Sequence, residues 1–256
     1  MTKIFLLTGG AVLLYMTGWF IAARVRDRND IADVAWGLGF ILAALVSLAA
    51  AGEYSPRALL VTGLVAVWGL RLAAHIHFRN RGKGEDPRYR KWREEWGSAF
   101  VLRSFLQVFM LQGVLLLLVA APVTYVNAAP YAPFTVLDAL GALVWLVGFL
   151  FEAIGDLQLS RFLRDPANRG KLMTFGLWRY TRHPNYFGEV TLWWGIWLFA
   201  AAVPGGWMTV AGPLAITFLI LKVSGIPMLE QRYEGRADFQ EYKRRTSAFF
   251  PLPPRS

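Results

Sequence analysis

The sequence predicts an all-α integral membrane protein with seven transmembrane helices, its N-terminus outside and its C-terminus in the cytoplasm. Three observations carry that reading. Of 256 residues, 55% are hydrophobic and 11 are Trp, and the mean hydropathy is +0.38, a composition too apolar for an ordinary soluble domain. Seven stretches can each span about 30 Å of hydrocarbon, which takes about 20 residues of helix. Finally, the cations gather in alternate loops, on one face only.

The first segment, 4–22, is followed by Arg24, Arg26 and Arg28, where removal of a leader peptide would call for small neutral residues, so it reads as a retained helix. The second, 34–51, begins just after Asp30 and Asp33. Asp30 suits a helix N-cap; Asp33 suits either a cap or a functional carboxylate. Along the third, 58–77, Trp68, Arg71, His75 and Arg79 follow at steps of three, four and four and form one stripe. Arg71 lies too deep to snorkel and calls for a carboxylate, for which Asp33 is the natural candidate. The fourth segment is 105–126. The fifth, 134–155, ends with Glu152 and Asp156 one turn apart, two carboxylates that repel unless something donates to them. The sixth, 186–203, is short and carries Trp193, Trp194 and Trp197, which suit interface anchors. The seventh, 206–225, leads into a basic tail punctuated by Pro251, Pro253 and Pro254. No internal repeat or linker interrupts the chain, so 1–256 reads as a single domain.

The net charge of +10 invites a nucleic-acid reading, but its distribution does not support one. Loops 23–33, 78–104 and 156–185 and the tail from Lys222 hold 24 of the 27 Lys and Arg residues, whereas the opposing loops 52–57, 127–133 and 204–205 hold only Arg57. That is the positive-inside pattern, with membrane lipids as partners and no nucleic acid; a bacterial inner membrane is the expected location. With no cysteine, disulfides and thiolate chemistry are excluded. His75 and His77 lie on different helix faces and His183 is distant, so no zinc site is expected. Neither a Gly-x-Gly-x-x-Gly nor a Walker loop is present.

Polar groups point to a ligand at the cytoplasmic membrane edge. Arg182, Asn185, Tyr186 and Glu189, at steps of three, one and three, bring a cation, an amide, a phenol and a carboxylate into the start of the sixth segment. Arg79-Asn80-Arg81-Gly82-Lys83-Gly84 and Arg164-Asp165-Pro166-Ala167-Asn168-Arg169-Gly170-Lys171 mix cations with turn-forming residues, a composition that suits phosphate groups.

Gly176-Leu177-x-x-Tyr180-x-x-x-x-Asn185-x-x-Gly188-Glu189 resembles the C-terminal motif of the steroid 5-alpha reductases, and its fuller form with Trp178, Arg182, His183 and Tyr186 resembles the related sterol reductases. Asn80-Arg81-Gly82-Lys83, Asp156 with Arg164 and Pro166, and Tyr233…Tyr242…Phe249-Phe250-Pro251 are similar to further stretches of that family, so the resemblance covers about residues 60–251. It implies NADPH-dependent reduction of an activated carbon–carbon double bond in a lipophilic substrate entering from the bilayer. It further implies nucleotide contacts from Asp156 and Asn185, phosphate contacts from Arg81, Lys83 and Arg164 with Tyr233 alongside, and Glu189 towards the nicotinamide. Asn168, Lys171, Arg182 and Tyr186 complete the expected cofactor set. The chain departs from the family at the proton donors: Asp33 stands before Val-Ala-Trp-Gly in place of a Gln-Glu pair, and Trp68 takes the position of a Tyr. Asp33, His75 and Trp68 are then the catalytic candidates. Arg-His-Pro-x-Tyr-x-Gly also resembles the isoprenylcysteine carboxyl methyltransferases, which implies S-adenosylmethionine as the alternative cofactor; a non-catalytic lipid-binding protein is a third possibility.

Overall fold

The computed structural model describes residues 1–255. Among these there are helices and no strand, with an isolated parallel bridge between Thr181 and Ser247. Six helical stretches are long and apolar enough to cross a membrane: Thr2–Arg26, Asn29–Ala51, Pro56–Asn80, Pro87–Val119, Val136–Arg164 and Gly206–Gln231. They answer to six of the seven expected segments. The remaining one, Pro184–Ala201, is helical but less apolar, because Asn185, Tyr186 and Glu189 occupy its first turns and three Trp its middle. None of its residues is exposed. A helix enclosed by protein need not offer lipid an apolar surface, so its composition is free to be polar where the chemistry requires.

The chain packs as two compact units, one of residues 1–134 with 199–209 and the other of 135–198 with the stretch from Val210. Unit 1 contains α1 (Thr2–Arg26), α2 (Ala32–Ala51), α3 (Pro56–Asn80), α4 (Pro87–Trp96), α5 (Phe100–Arg103), α6 (Leu111–Val119) and α7 (Ala121–Ala128), with a π-helical stretch Ser104–Met110 joining α5 to α6. Two of its helices start on caps that the sequence spells out. Ser55 accepts from Ala58 N at 3.2 Å and Asp86 from Arg88 N at 2.9 Å, each followed by proline at the first helical position. α2 and α3 cross in close contact at Gly37 and Gly69, where a Cβ on Gly69 would stand 2.6 Å from the Gly37 carbonyl oxygen. Beside that crossing Trp68 is fully buried, edge-on to Phe40 at 5.4 Å. Farther along, the buried amide of Asn127 on α7 donates to Ala44 O at 3.0 Å and Ser47 Oγ at 2.9 Å on α2, and to Thr62 Oγ1 at 3.2 Å on α3. One side chain thus ties three helices where water is not there to compete.

Unit 2 contains α8 (Val136–Arg164), most of α9 (Pro184–Ala201), α10 (Ala211–Phe218), α11 (Ile226–Gln231) and α12 (Ala237–Arg245). α8 begins with a capping box in which Thr135 N donates to Asp138 Oδ2 at 2.6 Å. α8 and α9 touch through glycines seven residues apart on each helix. A Cβ on Gly148 would lie 2.6 Å from Gly188 O, one on Gly188 2.5 Å from Gly148 O, and one on Gly195 2.5 Å from Trp145 N. Backbone meets backbone, as in small-residue packing between membrane helices. The same approach brings Gly155, one heptad beyond Gly148, to within 3.2 Å (from a Cβ) of Asn185 N, which sets the two helix ends together at the polar cluster.

Candidate functional site

Asp156 lies in the last turns of α8 and is 6% exposed; Glu152, one turn deeper, is 2% exposed. Asn185 is the second residue of α9. Its Nδ2 donates to Asp156 Oδ1 at 3.1 Å, and its Oδ1 accepts from Tyr186 N at 3.1 Å. The donor that the carboxylate pair calls for is therefore supplied in part by the protein itself, from the α9 motif 29 residues away. Tyr186 stacks on His183, with ring centroids 5.5 Å apart and planes at 19°. Glu189, a turn into α9, is half-buried. Asp156, Asn185 and Tyr186 are thus brought together from two elements, on a backbone scaffold fixed by the glycine contacts.

Arg182 is bonded to a different set of groups. The helix begins at Pro184, so helical spacing does not carry back to Arg182. Its side chain is 6% exposed; Nε and Nη2 reach Glu230 Oε1 at 2.8 Å each, and Nη1 donates to the carbonyls of Lys243, at 3.2 Å, and Thr246. His183 Nε2 meets the same Glu230 oxygen at 3.0 Å, and burial lowers the His183 pKa despite that partner. Arg182 is expected from sequence to bind cofactor; the structure places it in an ion network within the protein. Glu230 is the residue sequence reasoning misses. It shares the tail from Lys222 with Glu234, Asp238 and Glu241, and nothing in the sequence singles it out from them.

The loops hold the remaining candidates. Arg164 and Lys171 are exposed, with Arg161, Arg169 and Arg179 exposed nearby in sequence. Asn168 donates to Phe162 O at 3.1 Å and so closes the C-terminus of α8, a structural task. Tyr233 stands on the turn after α11, 5.5 Å from the Phe239 ring, with the Arg236 guanidinium 5.8 Å from its own centroid.

Unit 1 has its own polar cluster. Asp33, in the first turn of α2, accepts from Arg88 Nη2 at 3.0 Å and from Tyr89 Oη at 2.8 Å, both on α4. Sequence suggests Arg71 as partner; α4, a segment it leaves unassigned, brings Arg88 and Tyr89. Both donors of the Asp33 carboxylate are thus supplied by the short helix that follows the third membrane segment. Trp68 belongs to the core between α2 and α3, and His75 is half-buried on α3. Arg81 and Lys83 are exposed on a loop pinned from behind: Arg28 donates to Lys83 O at 2.9 Å and Gly84 O at 3.3 Å, Asn29 N to Glu85 Oε1 at 2.7 Å, and Arg93 to Glu85 Oε1 at 3.1 Å. Among the described residues no group of His, Asp and Glu side chains is arranged to hold a metal ion.

A family model described as a protein of unknown function, DUF1295, matches residues 19–246. A curated relative, a probable O-methyltransferase (ustE) of Ustilaginoidea virens, is 31% identical over 81 residues, covering 32% of this chain and 27% of that protein. No solved structure matches.

Proposed function

The chain belongs to the DUF1295 family, and on that premise we propose that it is a membrane enzyme that binds NADPH at the unit 2 cluster and reduces an activated carbon–carbon double bond in a lipophilic substrate. The observation that carries the reading is the bond between buried Asp156 and half-buried Asn185, with the exposed cations Arg164 at the end of α8 and Arg169, Lys171 and Arg179 on the connection to α9. A buried carboxylate beside an amide suits the hydroxyl and amide groups of a nucleotide. A loop rich in exposed Arg and Lys suits phosphates, of which NADPH has three. The donor set therefore fits the cofactor.

When bound, NADPH supplies a hydride. The chain's residues do the rest: Asp156 and Asn185 orient the nucleotide, Arg164 and Lys171 neutralise its charge, and water supplies the proton taken up by the carbon or oxygen left anionic.

Methyl transfer from S-adenosylmethionine is the second reading, favoured by the name of the Ustilaginoidea virens relative. One experiment separates them, because a ligand that binds the native state raises its melting temperature. Detergent-solubilised full-length protein is melted with NADPH and with S-adenosylmethionine. Stabilisation by NADPH alone, weakened about tenfold in Kd by Asn185→Ala or Asp156→Asn, supports the reductase; such a loss is about 1.4 kcal/mol, within the ordinary cost of a buried hydrogen bond. Stabilisation by S-adenosylmethionine alone sinks it.

A further inference from the structure

The last membrane stretch is broken, and the break decides where Glu230 goes. A π-helical run Leu219–Val223 ends at Ser224–Gly225, after which α11 starts in a new direction. A Cβ on Gly225 would stand 2.8 Å from Ile220 Cα, so the turn is open only to glycine. Glu230 follows on α11 and receives Arg182 Nε and Nη2 at 2.8 Å and His183 Nε2 at 3.0 Å on Oε1; Lys243 Nζ lies 3.8 Å from Oε2. The chain from Tyr180 to Arg182 is also tied to the C-terminal stretch. Arg182 N donates to Ser247 O at 2.9 Å, Thr181 Oγ1 to Ala248 O at 3.2 Å, and Leu252 N to Tyr180 O at 3.0 Å. Arg182 and His183 are the two residues before Pro184, and Asn185 is the residue after it.

We propose that Glu230 is a positioning residue: by holding Arg182 and His183 it fixes the point from which α9 starts, and so sets Asn185 against Asp156. No other arrangement of these bonds is needed for α9 to be helical; what they determine is where its first turn sits. The nucleotide ligand of that pair rests on the reading above, whereas the positioning does not, and the test keeps the two apart.

The chain has no cysteine, so the pair Asp156→Cys/Asn185→Cys in the otherwise native full chain reports their separation through a short bifunctional thiol reagent. Crosslinking is expected to be fast with Glu230 present, several-fold slower with Glu230→Ala, and intermediate with Glu230→Gln, which keeps one acceptor oxygen. Unchanged crosslinking in both variants overturns the proposal, whatever cofactor binds. Should the Ala variant fail to fold, the Gln variant carries the comparison. In cysteine-free protein, Glu230→Ala and Asn185→Ala are each expected to weaken nucleotide binding about tenfold, and together no more than either alone, since residues acting through one network do not add. Fully additive losses also overturn the proposal. If wild-type protein binds no NADPH, the reductase reading falls and crosslinking still decides the role of Glu230.

Discussion

His183 shows how burial and partnership compete at a single residue. Its imidazole sits against Glu230, which favours the charged form, yet desolvation dominates and the pKa falls below 6.5. The sign follows from linkage: below that value the unfolded chain takes up a proton that the native site resists, so this contribution to stability is present above about pH 6.5 and lost as pH falls through it. The melting temperature should therefore drop between pH 7.5 and 5.5 by more in wild-type protein than in His183→Gln; equal slopes would remove His183 from the account. Tyr89 gives a second residue-level expectation. Tyr89→Phe keeps the ring and loses only the hydroxyl on Asp33. It is expected to lower stability by about 1–3 kcal/mol, the cost of leaving a largely buried carboxylate short of a donor, and an unchanged melting temperature would show that the bond contributes nothing. Asp156 and Asn185 can be picked out of the sequence because each is a polar group entering an apolar segment. Tyr89 and Glu230 cannot, because each lies in a charged stretch where the commoner role of such residues is solvation.

At the level of elements, the α8–α9 contact is the most demanding feature of unit 2. Gly148, Gly188 and Gly195 each sit so close to the facing backbone that a methyl group would overlap it. Backbone cannot swing away as the tip of a side chain can, so Gly188→Ala should force the helices apart and destabilise the protein by about 1–3 kcal/mol, as overpacking does. Gly63→Ala is the control, because its Cβ would meet nothing within 4 Å and the change favours helix. Thermal melting of the two variants makes the comparison, and equal midpoints would show that the helices accommodate the methyl group. The heptad spacing of these glycines is visible in the sequence, but their partners are not. Spacing places residues on one face of a helix; which neighbour that face meets depends on the tertiary arrangement. The same limit explains Arg182, whose spacing from Asn185 matches a helix that in fact begins two residues later, at a proline.

Over the whole molecule, charge distribution and hydropathy agree on a membrane protein, and six helices have the length and composition to cross. Orientation is still an expectation from the basic loops, and it can be measured. A fluorescent reporter that matures only in the cytoplasm, fused after residue 256, should be bright, and a periplasmic phosphatase at the same point inactive; the reverse pattern would invert the topology and move the proposed cofactor site to the other face. Hydropathy alone determines where the lipid-facing helices lie, because contact with hydrocarbon constrains each residue separately and leaves a local record. It also marks Asp156, Asn185 and Glu189 as groups that need polar company. What only the tertiary structure decides is the company each finds: Asn185 for Asp156, Glu230 for Arg182 and His183, Tyr89 and Arg88 for Asp33. Those bonds join residues 29 to 56 positions apart, and no local rule of spacing or composition records a partner that folding alone brings within reach.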